Sequence, residues 1–325
     1  MVGELPPVVL RFLSYKETIQ NCSPLTVAEY GNDLRTFFKY IVALRGGRVD
    51  DETVENADIS SVDEEFVSQV TAEDVYSFLL YLSRTRNNKA VTRARKLSAV
   101  RAFYKYHTQK THAVRNNPVS DIDSPQIKAA LPKYLSLDES INLIDSVSET
   151  SRTHERDYAI LTLFLNCGMR LSELVGINLS DMASDLSSLV VTGKGSKMRT
   201  IYLNTACRAA LEKYLAVRTD MTPGVRITDK DALFLSSRGR RISAKTVQWM
   251  VKRQLQMSGL GGKGYSTHKL RHTAATLMYN EGNVDVRALK DILGHEQLNT
   301  TQIYTHVSDK KLAQAMEANP LSKKK

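Results

Sequence analysis

Four short segments in the second half of the chain hold the residue types that phosphoryl transfer needs. They are Gly168-Met-Arg170-Leu-Ser-Glu173, Thr192-Gly-Lys194-Gly, His268-Lys-Leu-Arg271-His272, and Leu293-Gly-His295, which Tyr304 follows nine residues later. Each segment also has an ordinary alternative. Arg170 could pair with Glu173 one helical turn away. Lys194 could be an exposed turn lysine, and Tyr304 a core tyrosine.

Taken together, these residues can transfer a phosphoryl group. Attack on a phosphodiester places negative charge on its non-bridging oxygens, which two guanidiniums bind bidentately at any relevant pH. Histidines donate hydrogen bonds or move protons near neutrality, and a lysine with a lowered pKa can protonate a leaving 5′ oxygen. A tyrosine, whose free pKa is about 10, becomes a nucleophile when surrounding cations favour its phenolate. We expect no metal and no cofactor, because the arginines supply the charge stabilisation.

A metal site is the main alternative for the histidine pair. His268 and His272 are four residues apart on a predicted helix, a spacing that zinc enzymes use. No glutamate lies between them, however, and no carboxylate or cysteine follows at a typical ligand spacing. Arg271 on the same turn would also repel a divalent cation.

The order of these residues resembles the tyrosine recombinase and phage integrase family. The strings GMRLSEL, GKG, HKLRHT, and LGH with a following IYTH are similar to those of Xer-type bacterial members. The resemblance is strong over about 135–310 and looser before that. It implies catalytic roles for Arg170, Lys194, His268, Arg271, His295 and Tyr304, with Glu173 and His272 as supporting residues.

The resemblance also implies what each residue type does. The two arginines would hold the scissile phosphate, and the lysine would protonate the 5′ leaving oxygen. His268 and His295 would stabilise the phosphate and relay protons. Tyr304 would form a 3′-phosphotyrosyl bond, which a 5′ hydroxyl from another strand can reverse without ATP.

The elements that must position these residues are mostly helices. Helical periodicity predicts helices at about 24–44, 71–84 and 89–110 in the first part of the chain, and at 154–167, 244–257, 267–280, 286–293 and 309–318 later. Ser136 to Glu139 forms a capping-box signature. Residues 188–203 predict a β-hairpin around Gly193-Lys194-Gly195-Ser196, and 232–235 a short third strand.

Charge is unevenly distributed along a basic chain with a net charge of +10. Residues 50–74 carry ten acidic and no basic residues, whereas 75–120 carry ten basic and no acidic ones. We interpret about 46–70 as an exposed acidic insertion, and the basic helix as a surface for DNA phosphates. A solvated basic face is the alternative. The predicted DNA-binding residues are Lys89, Arg93, Arg95, Lys96, Arg101 and Lys105.

These patterns predict a mainly α protein with a small antiparallel sheet, in the α+β class. Three prolines within 116–134 indicate a linker between an N-terminal helical DNA-binding domain, 1–115, and a catalytic domain, 135–325. The family implies that the two form a C-shaped clamp on DNA. The helix at 309–318 could dock on a neighbouring protomer, as the family implies, or pack in cis.

Composition limits the class of protein further. No run of 18 apolar residues and no signal peptide are evident, so we expect a cytoplasmic protein without membrane association. The three cysteines, Cys22, Cys167 and Cys207, form neither a disulfide framework nor a zinc pattern.

The favoured function is site-specific recombination of double-stranded DNA by a homo-tetramer on two sites, alone or with a second recombinase. Xer-type resolution of chromosome dimers, and so a role in chromosome partition and cell division, is preferred over integration or excision of a mobile element. A type IB topoisomerase uses similar chemistry, but the linker and helical N-terminal domain favour recombination. A non-catalytic DNA-binding protein of the same fold is a further alternative, opposed by the six intact positions.

Overall fold

The computed structural model describes residues 5–127, 133–193, 197–220, 224–282 and 284–294. These residues are mostly helical, with one small antiparallel sheet. This confirms the predicted α+β class. The chain divides into two compact units, 1–129 and 130–325. No helix in the described ranges has the length and apolarity that crossing a membrane would require.

The first unit is a helical bundle around an aromatic core. Ser23 caps the second helix by accepting from the backbone N–H of Thr26, and Thr71 and Asp74 form a capping box on the fifth. Phe12, Phe37, Phe38, Phe78 and Phe103 are fully buried and meet largely edge to face. The helices are α1 Pro7–Thr18, α2 Pro24–Arg45, α3 Asp51–Asn56, α4 Glu64–Ser68, α5 Ala72–Arg84 and α6 Ala90–Gln109.

The acidic segment is not the exposed insertion that the sequence suggests. It folds into α3 and α4, and Val54, Ile59, Val62 and Val67 are buried in the core of the first unit. The acidic side chains occupy the helix starts and the solvent side, where Asp50 and others cap and complement the helix dipoles. Two short helices joined by a turn leave no regular period, so the sequence pattern does not reveal this packing.

The first part of the predicted linker also belongs to the first unit. Val119 and Ile122 are buried in its core, and Arg101 donates from Nη2 to the Ile122 carbonyl oxygen at 2.6 Å. Pro118 and Pro125 therefore mark an irregular segment that packs on the bundle. Residues 128–132 lie outside the described ranges.

The second unit packs helices around the buried α8, whose residues from Ala159 to Leu165 are all in the core. Ser136 and Glu139 form the predicted capping box, with donor–acceptor distances of 3.1 and 3.0 Å. The predicted helix at 309–318 lies outside the described residues. The helices are α7 Leu137–Asp145, α8 His154–Cys167, α9 Leu171–Gly176, a 3-10 helix Leu179–Asp181, α10 Thr205–Val217, α11 Ala244–Met257, α12 Thr267–Asn280 and α13 Val286–Leu293.

The predicted hairpin is present as β1 Ser188–Thr192 and β2 Met198–Tyr202, paired antiparallel with Val191 opposite Arg199. The predicted third strand is wrong. Ala232 and Leu235 make only isolated bridges, to Asn178 and Arg241. The segment 232–235 is fully buried, so its apolar run reflects burial in the core rather than a sheet.

Candidate active site

The centre of the site is Arg271 on α12, a guanidinium that is only 3% exposed. Its Nη1 donates to the Gly168 carbonyl oxygen at 2.6 Å and its Nη2 to the Leu293 carbonyl oxygen at 2.7 Å. These carbonyls lie at the ends of α8 and α13, where helices leave backbone oxygens unpaired and partly negative. The Arg271 side chain therefore links the ends of α8 and α13, and its positive charge lies between them.

Gly168 makes this arrangement possible. It ends α8 in the left-handed conformation, with φ of 59°. A Cβ at this position would lie 2.8 Å from Leu293 Cδ2, so a side chain would be both strained and crowded. The turn brings Arg170, two residues later, to the start of α9.

Arg170 is the more accessible arginine, with 36% of its side chain exposed. Its Nη1 donates to Glu173 Oε1 at 2.7 Å, and its Nη2 to the Gly294 carbonyl oxygen at 3.1 Å. Its backbone N–H donates to Glu173 Oε2 at 2.6 Å. Arg170 thus makes the ion pair with Glu173 that its helical spacing predicts, and the outer edge of its guanidinium faces solvent.

Glu173 is a buried carboxylate whose side chain is 0% exposed. Burial opposes its ionisation, but hydrogen bonds from Arg199 and from the Arg170 backbone outweigh burial and lower its pKa. A carboxylate held in this way stays charged at neutral pH. It fixes the two guanidiniums in place rather than acting as an acid.

Arg199 on β2 is a third arginine of the site that the sequence analysis did not identify. It binds Glu173 through both Nη atoms, and its Nε donates to the Ile292 carbonyl oxygen at 3.2 Å. Three arginines therefore bind three consecutive carbonyls at the end of α13. The pairs are Arg199 with Ile292, Arg271 with Leu293, and Arg170 with Gly294.

A sequence signal for Arg199 exists in the strand alternation. Arg199, Ile201 and Leu203 share one phase of the RTIYL run, and the two apolar residues are 4% and 7% exposed. A cation in the buried phase of a strand must find a partner, because an unpaired buried charge is costly. The position of Arg199 on the buried side of the strand therefore predicts that it has a specific counter-ion.

His268 and His272 lie one turn apart on α12, with their Nε2 atoms 3.0 Å apart. Burial lowers the pKa of His268, and the nearby charges of Arg271 and Lys269 lower it further. Burial, with His268 close by, lowers the pKa of His272 to about 4. Both rings are therefore mainly neutral at neutral pH, and one Nε2 can donate to the other. Among the described residues, no group of three or more His, Cys, Asp or Glu side chains is placed to hold a metal ion.

Lys194, His295 and Tyr304 lie outside the described residues, so the structure does not test their positions. Gly193, which precedes Lys194, and Gly294, which precedes His295, lie at the arginine cluster. A Cβ on Gly193 would lie 3.4 Å from Glu173 Oε1. Gly294, which ends α13 with φ of 64°, contacts both Arg170 and Arg199.

The predicted DNA-binding residues of α6 are largely engaged within the first unit. Arg95 pairs with Glu29 and Asp33, and Lys96 pairs with Asp33 at 3.1 Å, with 12% of its side chain exposed. Arg93 and Arg101 donate to backbone carbonyls of Asn88 and Ile122. Lys89 and Lys105 are exposed.

A second basic surface lies on the second unit and was missed in the sequence. It lines a cavity of about 600 Å³ between the start of α8, the turn at 236–241 and α11. Arg238, Arg240 and Arg253 are exposed there, and Arg253 lies over the ring of Trp249, which is 62% exposed. The run Arg238-Gly-Arg240-Arg241 was the available signal. Cations beside an exposed aromatic ring suit a nucleic-acid surface.

Comparison with known proteins gives matches along most of the chain. Residues 133–311 match the model of the phage integrase family, and 58–111 match the phage integrase N-terminal SAM-like domain. The tyrosine recombinase XerC of Caldanaerobacter subterraneus subsp. tengcongensis is 48% identical over 98% of this chain and 88% of its own length. That of Thermodesulfovibrio yellowstonii is 36% identical over 97% of both chains.

Solved structures show the same fold. A crystal structure of XerA recombinase is 28% identical, with a TM-score of 0.50, and covers 96% of this chain and 98% of its own. XerH site-specific recombinase bound to palindromic difH substrate in a post-cleavage complex has a TM-score of 0.67 at 20% identity, covering 96% and 94%. The Tn1549 transposon integrase in complex with circular intermediate DNA reaches 0.70 at 17%, covering 95% and 98%.

The family is shown by the model match and by identity to the curated relatives along nearly the whole chain. The arginine cluster that the structure assembles comes from three of the four sequence segments with which the family was recognised, together with β2. The chain belongs to the phage integrase family and is a site-specific tyrosine recombinase of the Xer type.

Proposed function

We propose that Arg170 and Arg271 bind the non-bridging oxygens of a scissile DNA phosphate and that Tyr304 attacks it. The Tyr304 Oη–phosphorus bond forms as the bond to the 5′ oxygen breaks. Lys194 gives that oxygen a proton. Surrounding guanidiniums favour charge on the attacking phenolate and on the transition state, without a metal ion.

The remaining residues of the motif support this reaction. His268 and His295 donate hydrogen bonds to the phosphate and accept the tyrosine proton. Glu173 orients Arg170, and His272 orients His268. The phosphotyrosyl link keeps the bond energy of the phosphodiester, so a 5′ hydroxyl from the partner strand reverses the step and rejoins the DNA.

The observation that carries this proposal is the convergence of three guanidiniums on three consecutive carbonyls at the end of α13. Glu173, to which both Nη atoms of Arg199 donate, offsets the charge of that arginine, so Arg170 and Arg271 leave a net positive charge. Arg170, with its outer edge exposed, can receive an anion. The chain continues from this point directly into His295.

A nicked suicide substrate tests the proposal. The short fragment diffuses away after cleavage, so religation is blocked and the covalent complex accumulates. We expect the protein to form a complex that resists denaturing electrophoresis, with equal yield in buffer and in EDTA. Failure to form it on any cognate site, or a tenfold loss of yield in EDTA, would contradict the proposed metal-free transesterification.

We propose that the basic surface around Arg238, Arg240 and Arg253 contacts the DNA backbone. Removing one phosphate contact lowers affinity and reduces the slope of log Kd against log salt by about one unit. We therefore expect Arg240→Gln and Arg253→Gln each to flatten the salt dependence. Arg208→Gln is the matched control, because Arg208 lies on α10 and is close to Asp185. Unchanged slopes in both variants would place this surface away from DNA.

The N-terminal unit contributes further DNA contacts in this proposal, through the predicted cations of α6. Lys89 and Lys105 are the most accessible candidates. Reversal of Lys96 would place a negative charge beside the buried Asp33 and so change folding as well as binding. Lys105 is therefore the better position at which to test α6.

The substrate in this proposal is a pair of specific double-stranded DNA sites, held by a homo-tetramer, alone or with a second recombinase. Curated relatives named XerC, up to 48% identical over most of the chain, favour chromosome dimer resolution in the cytoplasm over mobile-element integration. The helix at 309–318 would dock on a neighbouring protomer.

A further inference from the structure

Arg199 occupies an unusual position in the β-hairpin. It lies opposite Val191, which is 2% exposed, and in the same phase as Ile201. Met198 and Tyr202, in the other phase, are 69% and 83% exposed. The hairpin therefore turns a cation towards the inside of the unit, where apolar side chains lie on either side of it.

Each of the three nitrogens of the Arg199 guanidinium has a partner in the protein. Both Nη atoms bind Glu173, and Nε binds the Ile292 carbonyl oxygen. Its side chain is 14% exposed, against 36% for Arg170. Arg199 therefore serves to connect neighbouring parts of the protein, whereas Arg170 keeps an exposed edge.

Arg199 also packs on the end of α13. A Cβ on Gly294 would lie 2.9 Å from Arg199 Cδ and 3.1 Å from its Nη1. The arginine therefore ties β2 to two other parts of the site, the Glu173–Arg170 pair and the end of α13. Arg170 has its own bonds to Glu173 and Gly294, so it keeps its main anchors when Arg199 is removed. The hairpin loses three hydrogen bonds at once.

We propose that Arg199 is a positioning residue that holds the hairpin in register with the phosphate-binding arginines, so that leaving-group protonation depends on it. This inference rests on the proposed function, in which Lys194, located by sequence between Gly193 and Lys197 of the same hairpin, protonates the 5′ oxygen. Arg199 connects the hairpin to Glu173 and to the end of α13.

A substrate with sulfur in place of the bridging 5′ oxygen separates this role from phosphate binding. A thiol has a pKa of about 8.5, far below that of an alcohol, so a thiolate leaves without a proton. Loss of leaving-group protonation slows only the oxygen substrate. Loss of phosphate binding slows both.

We expect Arg199→Met to cleave the oxygen substrate about 10²-fold more slowly, within the usual range for general acid catalysis. It should cleave the sulfur substrate within about threefold of the wild type, and bind DNA normally. Arg170→Met should be slow on both substrates. Thr200→Ala, on the exposed face of the same strand, should be normal on both.

Arg199→Lys is a second variant in case Arg199→Met misfolds, because a lysine keeps a positive charge beside Glu173. Its single ammonium cannot reach the Glu173 oxygens and the Ile292 carbonyl together. We expect a smaller loss, again rescued by sulfur. Equal loss on both substrates in the folded Lys variant, or no loss on oxygen in the Met variant, would overturn the inference. Absence of cleavage by the wild type on both substrates would instead overturn the proposed function.

Discussion

Tyr304→Phe should form no covalent DNA complex, with a loss of at least about 10⁴-fold in cleavage, because removing a nucleophile eliminates the covalent route. The substitution removes one hydroxyl and keeps the ring. DNA affinity should therefore stay within about threefold of the wild type, since it depends on cations distributed over the surface. Suicide-substrate trapping and a binding titration on the same preparation measure the two effects.

Tyr202→Phe is the matched control for this prediction. Tyr202 is 83% exposed on β2, and its hydroxyl has no role in the proposed chemistry. It should cleave at the wild-type rate. A covalent complex of normal yield in the Tyr304 variant would show that another residue is the nucleophile.

Arg271→Lys should lower the cleavage rate by about 10³-fold, or about 4 kcal/mol of transition-state stabilisation. A lysine keeps the charge but presents one ammonium in place of a planar fork. It cannot bind the Gly168 and Leu293 carbonyls together, as Arg271 does, and still present paired N–H groups to a phosphate. Single-turnover cleavage at saturating DNA measures the chemical step.

Folding must be measured alongside, because Arg271 also joins the ends of α8 and α13. Leaving a buried carbonyl without its donor costs about 1–3 kcal/mol, which thermal unfolding would detect. Arg287→Lys, exposed on α13, is the control for an arginine-to-lysine change on a neighbouring element. A folded Arg271→Lys protein that cleaves within about threefold of the wild type would contradict the role given to this arginine.

Much of the fold was predictable because local signals agreed with the tertiary structure. The caps at Ser23, Thr71 and Ser136 mark helices that form as expected. The four site segments could be recognised in the sequence because their residue types, taken together, suit few functions other than phosphoryl transfer. Arg170, Glu173, His268 and Arg271 lie in contact or near one another, although they come from two segments that are far apart in the chain.

What the sequence did not reveal depends on partners far away in the chain. The cations Arg95 and Lys96 look available in a helix without acidic residues, but Glu29 and Asp33 on α2 pair with them. Arg199 looks like an ordinary strand arginine until Glu173 and the end of α13 are placed beside it. Two short helices show no long period, so the sequence pattern does not predict that the valines of the acidic segment are buried.

The central claim is that Tyr304 attacks a phosphate held by Arg170 and Arg271. Its most direct test is peptide mapping of the complex trapped on a suicide substrate, after digestion of both the protein and the DNA. Mass spectrometry should find a nucleotide remnant on the peptide that contains Tyr304, attached through a 3′ phosphate. A remnant on any other residue, or attachment through a 5′ phosphate, would contradict the account.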